Sequence, residues 1–290
     1  MLLQDSTRVA TGNTPTSARP VPKSLVGTYL ETIIEDHLAM TADRLEPIEE
    51  LAEKASAAAE GFPIRGFAES IRSTAGTGIG VIAEVKRRTP TDGILRADVD
   101  VATRAADYAR GGAVALSVLT DEAHFDGSAG DLRAARAATD LPTLRKDFTV
   151  REHDIYAARI MGADAVLLIV AAFDDDDELH RFSTIASSLD MDALFEVHDE
   201  LELNRAIDAG ARLIGVNQRN LHTFEVDHAR ALRMVEEIPS DVVRVAESGV
   251  RGKKDAQDLA EAGYHAILVG RYLMHSENPA GAVRTLSHRV

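Results

Sequence analysis

The sequence contains no cysteine, and only six of its 290 residues are lysines. Without cysteine, the chain can form no disulfide and offers no thiolate as a nucleophile or metal ligand. This composition suits a reducing compartment, and we expect the cytoplasm. No apolar run approaches the roughly 18 residues that a membrane-spanning helix requires, so we expect no membrane partner.

Basic residues are in the minority, because 32 Lys and Arg oppose 47 Asp and Glu and give a net charge of −15. A nucleic-acid-binding protein usually carries a basic patch, and none is apparent, so we expect no nucleic-acid partner. In so acidic a chain, any site for an anion must be locally positive. The few lysines are therefore informative, and two of them, Lys86 and Lys146, end apolar runs where a lysine is costly to place.

Length and a hydrophobic content of 45% fit one barrel-sized domain of about 250 residues with an extension. Residues 1–25 are rich in Ser, Thr, Pro and Arg. They resemble a transit peptide in composition but lack an amphipathic face, so a flexible tail is predicted there and a single domain over residues 26–290. Helical periodicity predicts helices from Thr28, over 47–59 and over 67–71, which we expect to cover one end of the domain.

Eight short apolar runs follow residue 80, and amphipathic stretches separate them. Continuous apolar runs are typical of strands buried on both faces, and their alternation with helices implies parallel βαβ units. A glycine recurs before several runs, at Gly112, Gly162, Gly210 and Gly263, where it can end the preceding helix. Eight units favour an α/β fold of the (β/α)8 TIM-barrel class with an N-terminal helical extension over an open doubly wound sheet. The runs are 81–86, 113–119, 142–147, 165–171, 193–197, 213–217, 242–247 and 266–269.

Polar side chains collect at the carboxyl ends of these runs, where barrel enzymes place their active sites. Lysines and carboxylates that converge there can move protons, since burial and neighbouring charge push their pKa values apart. A buried ion-pair network is the structural alternative. The turns Ser248-Gly249 and Gly270-Arg271, after the last two runs, lie where barrels often bind phosphate through backbone N–H groups.

Two further features favour structural roles. His198 follows the fifth run, and a buried, hydrogen-bonded histidine is the more common outcome there than a catalytic one. The acidic run 174–177 lacks the glycine and the final glutamate of a calcium loop, so it is interpreted as a solvated helix start. No metal site is predicted.

Six segments, in the same order along the chain, resemble signatures of the indole-3-glycerol phosphate synthase family. The resemblance extends over about residues 27–288 and includes the N-terminal helices. Each segment is moderately specific, and six in order are highly specific. They are VIAEVKRRTPTDG at 81–93, LSVLTD at 116–121, LRKDF at 144–148, FEVH at 195–198, GVNQRNL at 215–221 and AESG at 246–249.

The resemblance implies a carbon–carbon lyase, a carboxy-lyase of tryptophan biosynthesis. The family converts 1-(2-carboxyphenylamino)-1-deoxyribulose 5-phosphate to indole-3-glycerol phosphate with loss of CO₂ and water, without a metal or organic cofactor. The expected partner is therefore a small phosphorylated molecule. We expect a monomer or a weak homo-oligomer.

The resemblance also implies roles for individual residues. Lys146 corresponds to the general acid that protonates the ribulose carbonyl, and Lys86 to the lysine that meets the substrate carboxylate. Glu196 and Glu84 correspond to the acid/base carboxylates. The remaining implied residues are Asn217 and Ser248 in the catalytic group, Arg219, Glu247 and Phe148 in substrate binding, and Thr89, Gly249, Gly270 and Arg271 in phosphate binding.

The chain departs from the family pattern in two places. Thr89-Pro90-Thr91 stands where Ser-Pro-Ser is usual, and Arg271-Tyr272 stands where a small or acidic residue and then Ser or Ala are usual. Two alternatives stay open. One is another phosphosugar barrel, such as an isomerase resembling phosphoribosylanthranilate isomerase, although its usual cysteine is absent. The other is a non-catalytic or specialised-pathway paralogue that binds a phosphorylated ligand.

Overall fold

The computed structural model describes residues 21–42, 45–74, 78–221 and 223–287. Within them, eight parallel strands form a closed barrel in which neighbours follow chain order and the last strand pairs with the first. The predicted (β/α)8 barrel is thereby confirmed. The strands are β1 Gly80–Val85, β2 Ala115–Leu119, β3 Thr143–Lys146, β4 Ala165–Ile169, β5 Asp192–Val197, β6 Leu213–Asn217, β7 Val243–Glu247 and β8 Ala266–Val269. A two-stranded ribbon, Arg88–Thr89 with Gly93–Ile94, follows β1.

Helices precede the barrel and alternate with its strands, and none that is described is long and apolar enough to cross a membrane. Before β1 lie α1 Tyr29–Thr41, α2 Ile48–Gly61 and α3 Phe67–Arg72. Between and after the strands lie α4 Val101–Gly111, α5 Glu122–Phe125, α6 Ala129–Ala138, α7 Glu152–Met161, α8 Asp176–Ser188, α9 Glu200–Asp208, α10 Arg230–Met234, α11 Lys253–Ala262, α12 Arg271–Met274 and α13 Pro279–Leu286. Short 3-10 turns lie at Lys23–Leu25, Val170–Ala172 and Val235–Glu237.

The boundary of the N-terminal segment differs from the prediction. Residues 1–20 of the predicted tail lie outside the described residues, but Lys23–Leu25 form a 3-10 turn in which Leu25 is buried. Packed structure therefore begins before residue 26. Thr28 then caps α1, because its hydroxyl accepts a hydrogen bond from the Glu31 amide at 3.0 Å.

The recurrent glycines end helices as the sequence indicated. Gly112, Gly162, Gly210 and Gly263 have φ values of +90°, +92°, +81° and +104°, which are left-handed. A side chain there would strain the backbone, whereas glycine stops each helix at no steric cost and turns the chain into the next strand. These turns all lie at the amino end of the barrel and leave the other end to the polar strand termini.

The N-terminal helices cover both ends of the barrel rather than one. At the amino end, the backbone N–H of Ala68 in α3 donates to Asp192 at 2.9 Å, and that of Arg65 donates to Asp164 at 2.8 Å. At the carboxyl end, Leu30 and Ile33 of α1 lie over the mouth and line its cavity. The barrel core is apolar and open at both ends, so each end must be covered to keep the core from water.

A buried hydrogen bond fixes α1 over the mouth. His37 Nε2 lies 3.0 Å from Asp154 Oδ1 on α7, and both side chains are buried. Burial lowers the pKa of His37, but the hydrogen bond and charge of Asp154 outweigh it, so the pKa is raised overall. Breaking such a pair leaves a buried charge without a partner, so the contact keeps α1 in place.

Candidate active site

A cavity of about 390 Å³ opens at the carboxyl end of the barrel, beneath α1 and among the loops that follow the strands. All of the site residues predicted from the sequence lie on its wall. They are Glu84, Lys86, Thr89, Lys146, Phe148, Glu196, Asn217, Arg219, Glu247, Ser248, Gly249, Gly270 and Arg271. Their individual roles stay predictions.

Lys146, at the end of β3, lies between two carboxylates. Its Nζ is 2.6 Å from Glu196 Oε2 at the end of β5 and 3.2 Å from Glu247 Oε2 at the end of β7. The Lys146 side chain is 14% exposed, whereas those of Glu196 and Glu247 are 4% and 2% exposed. The ammonium group therefore faces the cavity, and the carboxylates lie beneath it.

Burial and charge separate the pKa values of these three groups. Burial lowers the pKa of Lys146, but the charges of Glu196, Glu247 and Glu84 outweigh it and raise the pKa above its usual value. Burial raises the pKa of Glu196, but Lys146 and His198 more than reverse this and hold the pKa well below its usual range. At neutral pH the cluster thus presents a protonated lysine beside an ionised glutamate.

Glu247 behaves differently from Glu196. Burial, opposed by Lys146 and reinforced by the charge of Glu196, raises the pKa of Glu247 to about 7. One of its carboxylate oxygens, Oε1, has no hydrogen-bond partner among the described residues. The two glutamates that share Lys146 therefore have well-separated pKa values, as expected for a site that moves protons.

A second lysine–carboxylate pair lies at the end of β1. Lys86 Nζ forms an ion pair with Glu84 Oε1, which confirms that alternate residues of this strand point to the same side. Gly270 leaves the space for this pair. A Cβ on Gly270 would overlap Glu84 Oε1 and lie 3.1 Å from both Glu84 Cδ and Lys86 Nζ. Gly270 therefore shapes the proton-transfer side of the site as well as the predicted phosphate side.

Glu196 is held from two further directions. Asn217 Nδ2 donates to Glu196 Oε1 at 2.9 Å. His198 Nε2 lies 3.4 Å from the same oxygen, and His198 Nδ1 lies 3.0 Å from Glu202 Oε2 on α9. Burial lowers the pKa of His198, but these two glutamates raise it to about 9. His198 is buried as predicted for a structural histidine, yet it contacts the central carboxylate.

Gly215 in β6 was not predicted as a site residue, and the structure gives it a steric role. A Cβ at this position would overlap Glu247 Oε1 and lie 3.1 Å from Glu247 Cδ and 3.2 Å from Leu194 Cδ1. Glu247 therefore reaches Lys146 only because residue 215 has no side chain. The sequence gives a weak signal, a glycine inside an apolar strand, which often marks a close approach.

We expect Gly215→Ala to lower kcat/KM about 100-fold, because the added methyl group pushes the Glu247 carboxylate away from Lys146. Overpacking should also destabilise the fold by about 1–3 kcal/mol. Steady-state kinetics and thermal melts would measure the two effects. Gly61→Ala is the matched control, since no heavy atom lies within 4 Å of a Cβ at Gly61. A Gly215→Ala enzyme with normal kcat/KM would contradict the steric role.

The loops after β1, β7 and β8 form a further part of the cavity wall. Ser248 and Gly249 have φ values of +64° and +77°. Thr89 Oγ1 and Thr91 Oγ1 each lie 3.1 Å from Asp92 Oδ2, and Arg271 forms an ion pair with the same carboxylate. Hydroxyls and a guanidinium that converge on one anionic oxygen are donors that also suit a phosphate.

Arg219 is anchored rather than free. Its Nη1 donates to the Phe224 carbonyl at 2.8 Å. Burial lowers its pKa, and the positive charge of Arg271 lowers it further, against an opposing contribution from Asp92. This side of the mouth is therefore electropositive within an acidic chain.

An apolar wall faces the lysines. Phe148, after β3, and Phe125 in α5 pack with ring centroids 6.2 Å apart. Leu30 and Ile33 of α1 also line the cavity. The residues of α1 were missed as site residues, because a helical stripe of apolar residues gives no sign of which surface it will cover.

One group of buried side chains has the composition of a metal site. Ligand atoms of His37, Asp121 and Asp147 lie within 4.8 Å of one another. However, His37 is bonded to Asp154, and Asp147 accepts hydrogen bonds from the Arg145 guanidinium at 2.8 and 3.2 Å. His37 and Asp147 are therefore already satisfied by partners within the protein.

Comparison with known proteins identifies relatives over most of the chain. The model of the family described as "Indole-3-glycerol phosphate synthase" matches residues 30–286. "Indole-3-glycerol phosphate synthase 1" of Streptomyces coelicolor is 45% identical over 89% of this chain and 94% of its own length. The protein "Indole-3-glycerol phosphate synthase" of Beutenbergia cavernae is 52% identical over 72% of this chain and 77% of its own length.

Solved structures with low sequence identity share the fold. A 3-hexulose-6-phosphate synthase from Salmonella typhimurium superposes with a TM-score of 0.58 at 13% identity, covering 72% of this chain and 97% of that one. A thiamine phosphate pyrophosphorylase from Pyrococcus furiosus gives 0.54 at 18% identity, covering 72% and 94%. At such identities the similarity concerns the barrel alone.

Proposed function

The chain belongs to the indole-3-glycerol phosphate synthase family, and we propose that its barrel mouth acts as a carboxy-lyase on 1-(2-carboxyphenylamino)-1-deoxyribulose 5-phosphate. The products would be indole-3-glycerol phosphate, CO₂ and water, in tryptophan biosynthesis. One observation carries this proposal. Lys146 lies within hydrogen-bonding distance of both Glu196 and Glu247 at the bottom of a cavity whose other sides are apolar and electropositive.

Ring closure requires an acid at the ribulose carbonyl. The aromatic carbon that carries the carboxylate attacks the C2 carbonyl carbon, and the carbonyl oxygen must take a proton as the C–C bond forms. Lys146 suits this role because its raised pKa keeps it protonated and its ammonium group faces the cavity. Glu196 and Glu247 beneath it orient the ammonium group.

CO₂ then leaves from the same ring carbon, and its loss restores the aromaticity of the ring. Until CO₂ leaves, the substrate carboxylate needs a cation that binds it without protonating it. Lys86, 18% exposed and paired with Glu84, suits this role at the end of β1. The apolar wall around Phe148 and Phe125 would hold the aromatic ring and exclude water, which strengthens each ionic contact.

Dehydration completes the indole ring. The former carbonyl oxygen leaves as water, and the adjacent CH₂ carbon loses a proton, so the step needs both an acid and a base. Glu196 suits the base role, because its lowered pKa keeps it ionised and Asn217 orients it. Lys86 would protonate the departing hydroxyl, and Lys146, deprotonated by ring closure and 2.6 Å from Glu196, would take back the proton that Glu196 accepts.

The glycerol phosphate end of the substrate would occupy the electropositive side of the mouth. The hydroxyl of Thr89 and the guanidinium of Arg271 supply side-chain donors there. Ser248, Gly249 and Gly270 contribute a glycine-rich backbone that permits close approach.

His198 should act on the reaction through Glu196. We expect His198→Gln to move the acid limb of kcat/KM to higher pH, because glutamine keeps a donor near Glu196 but removes the positive charge that helps to lower its pKa. A base must be deprotonated, so activity is lost as pH falls through the pKa of Glu196. The substrate phosphate titrates identically in the wild-type profile, so comparing the two profiles removes its contribution. An unchanged acid limb, with only kcat lowered, would contradict this assignment.

Formation of indole tests the proposed reaction directly. Purified protein would be incubated with the carboxyphenylamino-deoxyribulose phosphate, and indole absorbance and fluorescence would be followed. The chain has no tryptophan, so no protein indole overlaps the product signal. We expect saturable product formation with release of one CO₂ per indole. Saturable binding without product would overturn the lyase and favour a ligand-binding paralogue.

A further inference from the structure

A single carboxylate oxygen at the cavity mouth collects donors from two loops. Asp92 Oδ2 accepts hydrogen bonds from Thr89 Oγ1 and Thr91 Oγ1, each at 3.1 Å. The same oxygen pairs with Nη2 of Arg271, which follows β8, the neighbour of β1 in the barrel. Asp92 therefore bridges the ribbon after β1 and the start of α12.

The charges around Asp92 favour an anion at this point. The guanidinium of Arg271 contacts it, and the charge of Asp92 acts to raise the pKa of Arg219. Burial raises the pKa of Asp92, but Arg271 and the threonine hydroxyls outweigh it and lower the pKa overall. Asp92 is therefore ionised at neutral pH and occupies an oxyanion position.

We propose that Asp92 is an internal competitor of the substrate phosphate, because its carboxylate occupies the Thr89, Thr91 and Arg271 donors that the phosphate would take. This proposal rests on the proposed function for the position of the phosphate. Asp92 was not among the residues that the sequence assigned to the site. Its role would be to set how tightly the phosphorylated end binds.

Two anions cannot share these donors at close range. A phosphate oxygen placed on the Thr89 hydroxyl and Arg271 would lie beside the Asp92 carboxylate, and like charges at such a distance repel. Asp92 must therefore leave before the phosphate binds. It is free to do so, since its side chain is 30% exposed and that of Arg271 is 51% exposed.

Asp92 stabilises the mouth of the enzyme before phosphate binds. Its carboxylate then holds the ribbon and the start of α12 together and neutralises Arg271. Part of the binding energy of the phosphate is then used to replace these contacts, so affinity is reduced. Removing the charge of Asp92 should raise affinity and leave the proton-transfer groups unchanged.

Inorganic phosphate is the probe for this competition. We expect Asp92→Asn to bind inorganic phosphate about fivefold more tightly by titration calorimetry, as removal of roughly 1 kcal/mol of exposed ionic competition would give. KM for the substrate should fall to a similar extent while kcat stays constant, since the change affects binding in the ground and transition states alike. Thermal melts would verify that the variant is folded.

Asp258→Asn is the matched control, because it makes the same change in net charge at an exposed ion pair with Lys254. The control should leave phosphate affinity unchanged. Weaker phosphate binding by Asp92→Asn would overturn the competition and show that Asp92 organises the threonine hydroxyls instead. Unchanged binding, or an equal gain in the control, would also overturn it.

The two proposals fail separately. The calorimetric measurement needs no turnover, so tighter phosphate binding by Asp92→Asn would support the competition even if no indole formed. Indole formation by the wild type together with unchanged phosphate affinity in the variant would support the reaction and reject the competition.

Discussion

Lys146→Met is expected to lower kcat about 1,000-fold while the substrate dissociation constant changes by less than about tenfold. Methionine keeps much of the volume of the lysine stem but cannot donate a proton to the ribulose carbonyl. The interaction lost is made mainly in the transition state, so kcat should fall far more than affinity. Single-turnover kinetics for the chemical step and equilibrium titration for binding would separate the two effects.

The control for Lys146→Met is Lys254→Met, which removes an exposed lysine on α11 with the same change in side chain. It should retain wild-type kcat. If Lys146→Met kept kcat within tenfold of the wild type, the general acid would have to be another group. Lys86 is then the first candidate, since it is the other predicted lysine on the cavity wall.

The fold could be predicted from local features of the sequence because the barrel repeats one unit. Most strands are apolar runs, and Gly112, Gly162, Gly210 and Gly263 each end a helix at the same place in the unit. All eight predicted runs match the observed strands within two residues at each end. The fourth was predicted two residues too long, because Val170–Ala172 continue the apolar run but form a 3-10 turn.

The position of the site could also be predicted, since the closed topology brings every strand's carboxyl end to one mouth. Polar residues that are far apart in sequence, such as Lys86, Lys146 and Glu247, thereby line one cavity. What the sequence could not supply was pairwise geometry. Whether Lys146 would meet Glu196, Glu247 or both depends on side-chain directions that no strand pattern fixes.

The missed residues share a physical reason. Gly215 matters through the space it leaves, and Asp92 through an ion pair with a residue 179 positions away. Leu30 and Ile33 matter because α1 lies over the mouth. All three effects arise from tertiary packing. A sequence pattern records which residues are polar or apolar, not what they touch.

Glu196→Gln is expected to lower kcat by about 100-fold to 1,000-fold, as loss of a general base typically does. Glutamine has nearly the same shape and can still accept the hydrogen bond from Asn217, so the geometry of the mouth should be kept. The charge of Glu196 helps to raise the pKa of Glu247, so its removal should lower that pKa. Glu247 would then be ionised at neutral pH and keep Lys146 protonated. The general acid Lys146 is therefore kept and only the general base is lost, so dehydration should be slowed more than ring closure.

Glu247→Gln is the matched variant for this assignment. It removes the carboxylate whose pKa already lies near 7 and leaves Glu196 at 2.6 Å from Lys146. We expect a smaller loss of kcat, by about tenfold. Rapid-quench analysis should show a decarboxylated, still hydrated intermediate accumulating in Glu196→Gln but not in Glu247→Gln. The reverse order of losses would assign the base to Glu247. Equal losses without an intermediate would mean that the two carboxylates serve Lys146 jointly, with the base elsewhere on the cavity wall.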